Sequence, residues 1–128
     1  MMLLTQEIRD KLLANGKASA DSEGGIDHAP VVNLFTPDAG ATWLLSELDP
    51  ENPDIAFGLC DLGLGCPELG YVSISEIESV RGRLRLPPER DLGFSSITPL
   101  GEWADVTRQK DAIAGAEPVI KERERSAS

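Results

Sequence analysis

Three carboxylates and one arginine are the residues whose types suit metal-assisted chemistry on a phosphodiester: Asp38, Asp61, Glu68 and Arg90. Hard divalent cations such as Mg or Mn take oxygen ligands at about 2.0–2.6 Å, so two or three converging carboxylates can hold one. The metal would activate water, and the Arg90 guanidinium would steady the charge developing on the phosphate. The competing reading of such acids is structural. Asp38, Asp49 and Asp54 fall in turn sequences, where Asp is favoured because its side chain bonds nearby backbone. Glu76 and Glu78 fall in the first turn of an expected helix, where the helix dipole favours negative charge.

Other chemistries have less to stand on. His28 is the lone histidine and lies in a loop sequence, so it is the one ordinary base for a triad. No Gly-x-Ser-x-Gly elbow accompanies it, and there is no phosphate loop or dinucleotide fingerprint. Cys60 and Cys66 are spaced neither as a redox pair nor as a zinc knuckle, and read as free thiols in a reducing cytosol. No cofactor is evident beyond the possible divalent metal. Arg81, Arg83, Arg85 and Arg90 could grip a phosphate or carboxylate, or could neutralise neighbouring acids.

These residues must be held by a small α+β domain. Thr5 can cap a first helix, with Ile8 and Leu12 on one face and Asn15-Gly16 as its stop. Val31–Thr36, Thr42–Leu48, Ile55–Asp61 and Gly70–Ile74 read as strands, separated by Gly- and Pro-containing turns. Ser75-Glu76-Ile77-Glu78 has capping-box form and starts a short helix that Gly82 ends. Glu89–Phe94 can add an edge segment. Short connections favour sequential antiparallel pairing, so the expected fold is a four- to five-stranded antiparallel meander with short helices packed on one face. Trp43, Leu45, Phe57 and Leu59 should enter the core. The expected domain spans residues 1–103, followed by a weak helix and a disordered polar tail over 104–128.

Pairing fixes where the acids land. If Leu48 faces Ile55, Thr42 faces Asp61 and Glu47 faces Ala56. At about 3.4 Å per residue, Glu47 and Asp61 lie on the order of 17 Å apart. Asp38, Asp61 and Glu68 then gather at one sheet end, and Glu47, Asp49 and Glu76 at the other.

Charge narrows the partners. The chain carries a net charge of −10, and between Lys17 and Arg81 it has twelve carboxylates and no Lys or Arg. Non-specific duplex binding rests on basic surface, so direct duplex nucleic-acid binding is not expected, whereas a basic protein partner is. No apolar run approaches the roughly 20 residues of a membrane span. The expected location is the cytoplasm.

Leu3-Leu4-Thr5, Phe35-Thr36-Pro37-Asp38, Trp43, Glu47, Phe57-Gly58-Leu59-Cys60-Asp61, Glu68-Leu69-Gly70-Tyr71, Ser75-Glu76-Ile77-Glu78, Arg81-Gly82 and Glu89-Arg90-Asp91 follow in order over residues 1–103. This series resembles a bacterial family known only as domain of unknown function 2958. The resemblance implies a setting on plasmids or integrated mobile elements. It also brings a single-stranded DNA endonuclease label, without catalytic residues to carry over. Gly93 stands where many relatives have a polar or aromatic residue, which weakens a nuclease needing histidine there. Two readings stay open: a non-enzymatic accessory or binding domain, and a divalent-metal-dependent single-stranded nuclease using Asp38, Asp61, Glu68 and Arg90. A small-ligand pocket lined by Trp43, Phe57 and Tyr71 is a third possibility.

Overall fold

The computed structural model describes residues 3–127. Helix α1 runs over Gln6–Asp21, with the Thr5 hydroxyl accepting from the Ile8 amide as its cap. It does not stop at Gly16. That glycine is buried where the helix crosses the end of strand β2 (Thr42–Leu48), and a methyl there would run into the Leu48 carbonyl. Gly16 is therefore a close-approach residue, and the expected helix stop is corrected to Asp21.

Strands β1 (Val32–Phe35), β2, β3 (Ile55–Asp61) and β4 (Glu68–Ser73) form the antiparallel meander. Strand β5 (Glu89–Arg90) pairs with the free side of β1, giving the order β4-β3-β2-β1-β5. Thr42 faces Asp61, as the turn length implies. A bulge between Leu45 and Glu47 then shifts the register by one, so Glu47 faces Phe57 and Leu48 faces Ala56. A bulge inserts one extra residue into a strand, which turn counting does not reveal.

Between β4 and β5 lies α2 (Ile74–Ser79). Its cap is Ser73, whose hydroxyl accepts from the Glu76 amide at 3.2 Å. Ser75, the expected cap, instead donates with Ser73 to Asp54 across the sheet end. Asp54 takes the Ser73 hydroxyl at 2.6 Å, the Ser75 amide at 3.0 Å and the Ser75 hydroxyl at 2.7 Å.

The helices lie on both faces, not one. One face packs Leu34, Trp43, Leu45 and Ala56 against Leu12 of α1 and Ile74 and Ile77 of α2. The other packs Leu44 and Leu59 against α3 (Leu100–Lys110) and α4 (Ile113–Ala127). Strand side chains alternate faces, so Leu44 and Leu45 feed opposite cores. Two apolar sheet faces need two covers, and the second cover comes from the segment expected to be a weak helix and a disordered tail. Ile113, Ala116 and Ile120 of α4 are fully buried. Glu124 of the same helix ties down the approach to α3, taking the Ser96 hydroxyl at 2.6 Å, the Ile97 amide at 3.0 Å and the Thr98 hydroxyl at 2.7 Å. Among the described residues, no helix is long and apolar enough to cross a membrane.

Asp54 and Glu124 make stability sensitive to acid. The hydroxyls of Ser73 and then Ser75 hold the Asp54 carboxyl below its ordinary range. For Glu124, burial pushes upward, but the Ser96 and Thr98 hydroxyls and the Ile97 and Thr98 amides outweigh it and leave the carboxyl low. A depressed folded pKa contributes stability that is present above the unfolded value, near 4, and is lost as pH falls through the folded one. Urea midpoints are therefore expected to hold above about pH 5 and to fall steeply below about pH 4. In Asp54→Asn/Glu124→Gln the midpoint should start lower and fall less. An equal fall in both proteins would contradict this assignment.

Candidate functional site

Of the four residues singled out for metal chemistry, Asp38, Asp61 and Arg90 hold backbone groups in place. Asp61 is 3% exposed. One of its oxygens accepts the Gly63 amide at 2.9 Å, and the other accepts the Ile113 amide at 3.0 Å, which anchors the start of α4. Asp38 accepts the Leu84 amide at 2.6 Å and abuts Gly82, where a methyl would collide with its carboxylate. It thereby shapes the loop between α2 and β5, in which Arg85 takes a positive φ of 60°. Glu68 is exposed on β4, opposite Cys60. Burial, and then the Glu68 charge, push the Cys60 thiol up. Arg90 donates to the Leu3 carbonyl at 2.7 Å.

Among the described residues, no three His, Cys, Asp or Glu side chains gather closely enough to hold a metal ion. Asp38, Asp61 and Glu68 thus do not assemble the expected triad. Elsewhere, His28 stands 3.1 Å from the Asn15 carbonyl through Nε2, while its own carbonyl receives the Leu100 amide at 2.9 Å. It ties α1 to α3. Cys60 and Cys66 are free thiols.

The most site-like feature is a cleft of about 670 Å³ at the other end of the sheet. Helices α3 and α4 cover the central strands but leave the β4 side of that face open. Leu69 and Tyr71 point into the gap, paired across to Leu59 and Phe57. Tyr71 is 75% exposed, yet its ring rests on Phe57 with centroids 5.1 Å apart and planes tilted by 60°. Ile26 from the loop after α1 supplies a further exposed apolar side chain. The last turns of α1, with Gly16, Ser19 and Ala20, close one wall.

Three carboxylates rim this floor, and among the described residues no Lys or Arg lines it. Glu47 accepts the Ser19 hydroxyl at 2.8 Å. Asp49 accepts the Glu51 amide at 2.9 Å. Asp27 accepts the Gly101 amide at 3.0 Å and serves as the cap that Pro99 cannot provide for α3. Neutral donors fix all three carboxylates without neutralising them. Of the three residues expected to line a pocket, Phe57 and Tyr71 line this cleft, whereas Trp43 is buried on the opposite face. Sequence reasoning missed Ile26, Asp27 and Leu69. The alternation of Leu69 and Tyr71 on a terminal strand was the available signal for Leu69, since an edge strand need not be covered on both faces.

A family profile described as "Protein of unknown function (DUF2958)" matches residues 3–114. That span holds the whole sheet, α3 and the first residues of α4. The chain belongs to the DUF2958 family. Neither the comparison with curated proteins nor that with solved structures returned a match. The DUF2958 match passes the residue-103 limit of the resemblance and takes in Asp61's partner Ile113.

Proposed function

We propose that this DUF2958 domain is an accessory protein-binding module, and that its acidic cleft takes a basic, partly apolar segment of a protein partner. The observation that carries this reading is Tyr71, left 75% exposed on an aromatic floor inside a carboxylate rim without a cation. An exposed apolar patch inside a polar rim marks an interaction surface. Aromatic faces attract guanidinium and ammonium groups, by roughly 0.5–2 kcal/mol depending on desolvation. The three carboxylates favour the same cations and disfavour phosphate. A bacterial mobile element, the setting implied by the resemblance, is the proposed context for such an accessory role.

The test is fluorescence polarisation with a labelled hexapeptide alternating Arg and Leu. Binding is expected at low salt, with at least tenfold weakening in Tyr71→Ala and in Glu47→Lys/Asp49→Lys. A labelled DNA duplex is expected to stay unbound. Equal peptide affinity in the parent and both variants would overturn the assignment of the cleft.

A further inference from the structure

An exposed basic segment sits at the opposite end of the sheet from the cleft. Between α2 and β5, residues Arg81, Arg83 and Arg85 alternate with Gly82, Leu84 and Leu86. All three arginines are exposed, and Leu84 is 73% exposed. Arg81 donates to the Glu78 and Val80 carbonyls at 2.7 Å each. Among the described residues, the Arg83 and Arg85 side chains enter no hydrogen bond or ion pair.

This tip is shaped before any partner arrives. Asp38 holds the Leu84 amide at 2.6 Å, the bare Gly82 backbone packs on the same carboxylate, and the Arg85 amide bonds the Gly82 carbonyl at 3.0 Å. Pro87 and a buried Pro88 follow. A pre-shaped segment loses little conformational entropy on docking.

We propose that the tip of one copy, Arg81–Leu86, docks in the cleft of another copy. The proposal rests on the reading of the cleft given above and names its partner as a second copy of this chain. Charge and polarity match from both sides. Arg83 and Arg85 meet Asp27, Glu47 and Asp49, while Leu84 and Leu86 meet Ile26, Leu69 and Tyr71. A copy's own tip cannot fill its own cleft. The tip is tethered to Asp38 before β2, whereas Glu47 and Asp49 lie at its far end, roughly 20 Å away at about 3.4 Å per residue. The net charge of −10 opposes association at long range. At 0.1 M salt, charges beyond about 10 Å are largely screened, so the close pairs decide the outcome. Two different surfaces meeting head to tail generate open chains, or rings where the rotation closes.

Sedimentation velocity on the full chain tests this. The parent is expected to form species larger than a dimer as concentration rises at 0.1 M salt, and to return to monomer at 1 M. Arg83→Gln/Arg85→Gln and Glu47→Lys/Asp49→Lys should each be monomeric alone, and their mixture should stop at a one-to-one dimer. A synthetic peptide of residues 81–88 should dissolve the parent's assemblies. A parent that stays monomeric, or a tip variant that assembles like the parent, overturns self-docking. Failure of the Arg–Leu hexapeptide to bind the monomeric tip variant would instead overturn the reading of the cleft itself.

Discussion

A chain cut after Lys110 is expected to lose its cooperative thermal transition. Helix α4 looks dispensable from its composition, but it is half the cover of one sheet face. The cut removes the fully buried Ile113 and Ile120, each worth about 1.5–3 kcal/mol of apolar burial. It also exposes Leu44, Leu59 and Trp103, which pack in the same cluster. Asp61 would keep a buried carboxylate after losing the Ile113 amide, and an unsatisfied buried charged group is costly. Ser96 and Thr98 would lose the Glu124 carboxylate that organises them. Against a typical total stability of about 5–15 kcal/mol, these losses remove most or all of the margin. Circular dichroism during heating should show a broad, featureless change in the truncated chain. A sharp transition within a few degrees of the parent's would show that the 3–110 segment folds alone.

Gly16→Ala is expected to destabilise the fold by about 2 kcal/mol or more, although alanine is the better helix former. Replacing an interior helical glycine normally gains about 1 kcal/mol. Here the new methyl would meet the Leu48 carbonyl oxygen and the Leu48 carbonyl carbon, which are backbone and cannot rotate away. Overpacking of this kind costs typically 1–3 kcal/mol, and a rigid obstacle places it at the upper end. The larger Gly16→Leu should not fold. Because Gly16 also walls the cleft, Gly16→Ala should weaken peptide binding as well. A urea midpoint equal to or above the parent's would mean that α1 and β2 sit farther apart than described.

The sheet was legible because its signals are local. β2 and β3 carry β-branched, aromatic and leucine-rich runs bounded by Asp-Pro and Gly-rich turns, so their limits, their neighbours and the Thr42–Asp61 pairing followed directly. What was not legible depended on tertiary contact. Gly16 reads as a helix terminator unless the approaching Leu48 carbonyl is known. The bulge near Ser46 leaves no mark on strand composition. Helix α4 carries Gly115 and Pro118 and ends in a charged run, which hides the Ile113, Ala116 and Ile120 stripe.

The roles of the acids were less legible for a related reason. Asp38 and Asp61 suit metal chemistry by residue type, but backbone amides from distant segments, at Leu84 and Ile113, recruit their carboxylates. A carboxylate serving as a long-range cap looks the same in sequence as a metal ligand. The absence of Lys and Arg between residues 17 and 81 is what leaves the cleft rim unneutralised.

Amide chemical-shift mapping with an unlabelled Arg–Leu peptide tests the location of the binding surface most directly. The expected result is a single contiguous set of perturbed signals at Ile26, Asp27, Glu47, Phe57, Leu69 and Tyr71, fading with added salt. Perturbations centred instead on the Asp38, Asp61 and Glu68 region, or scattered without saturation, would contradict the account.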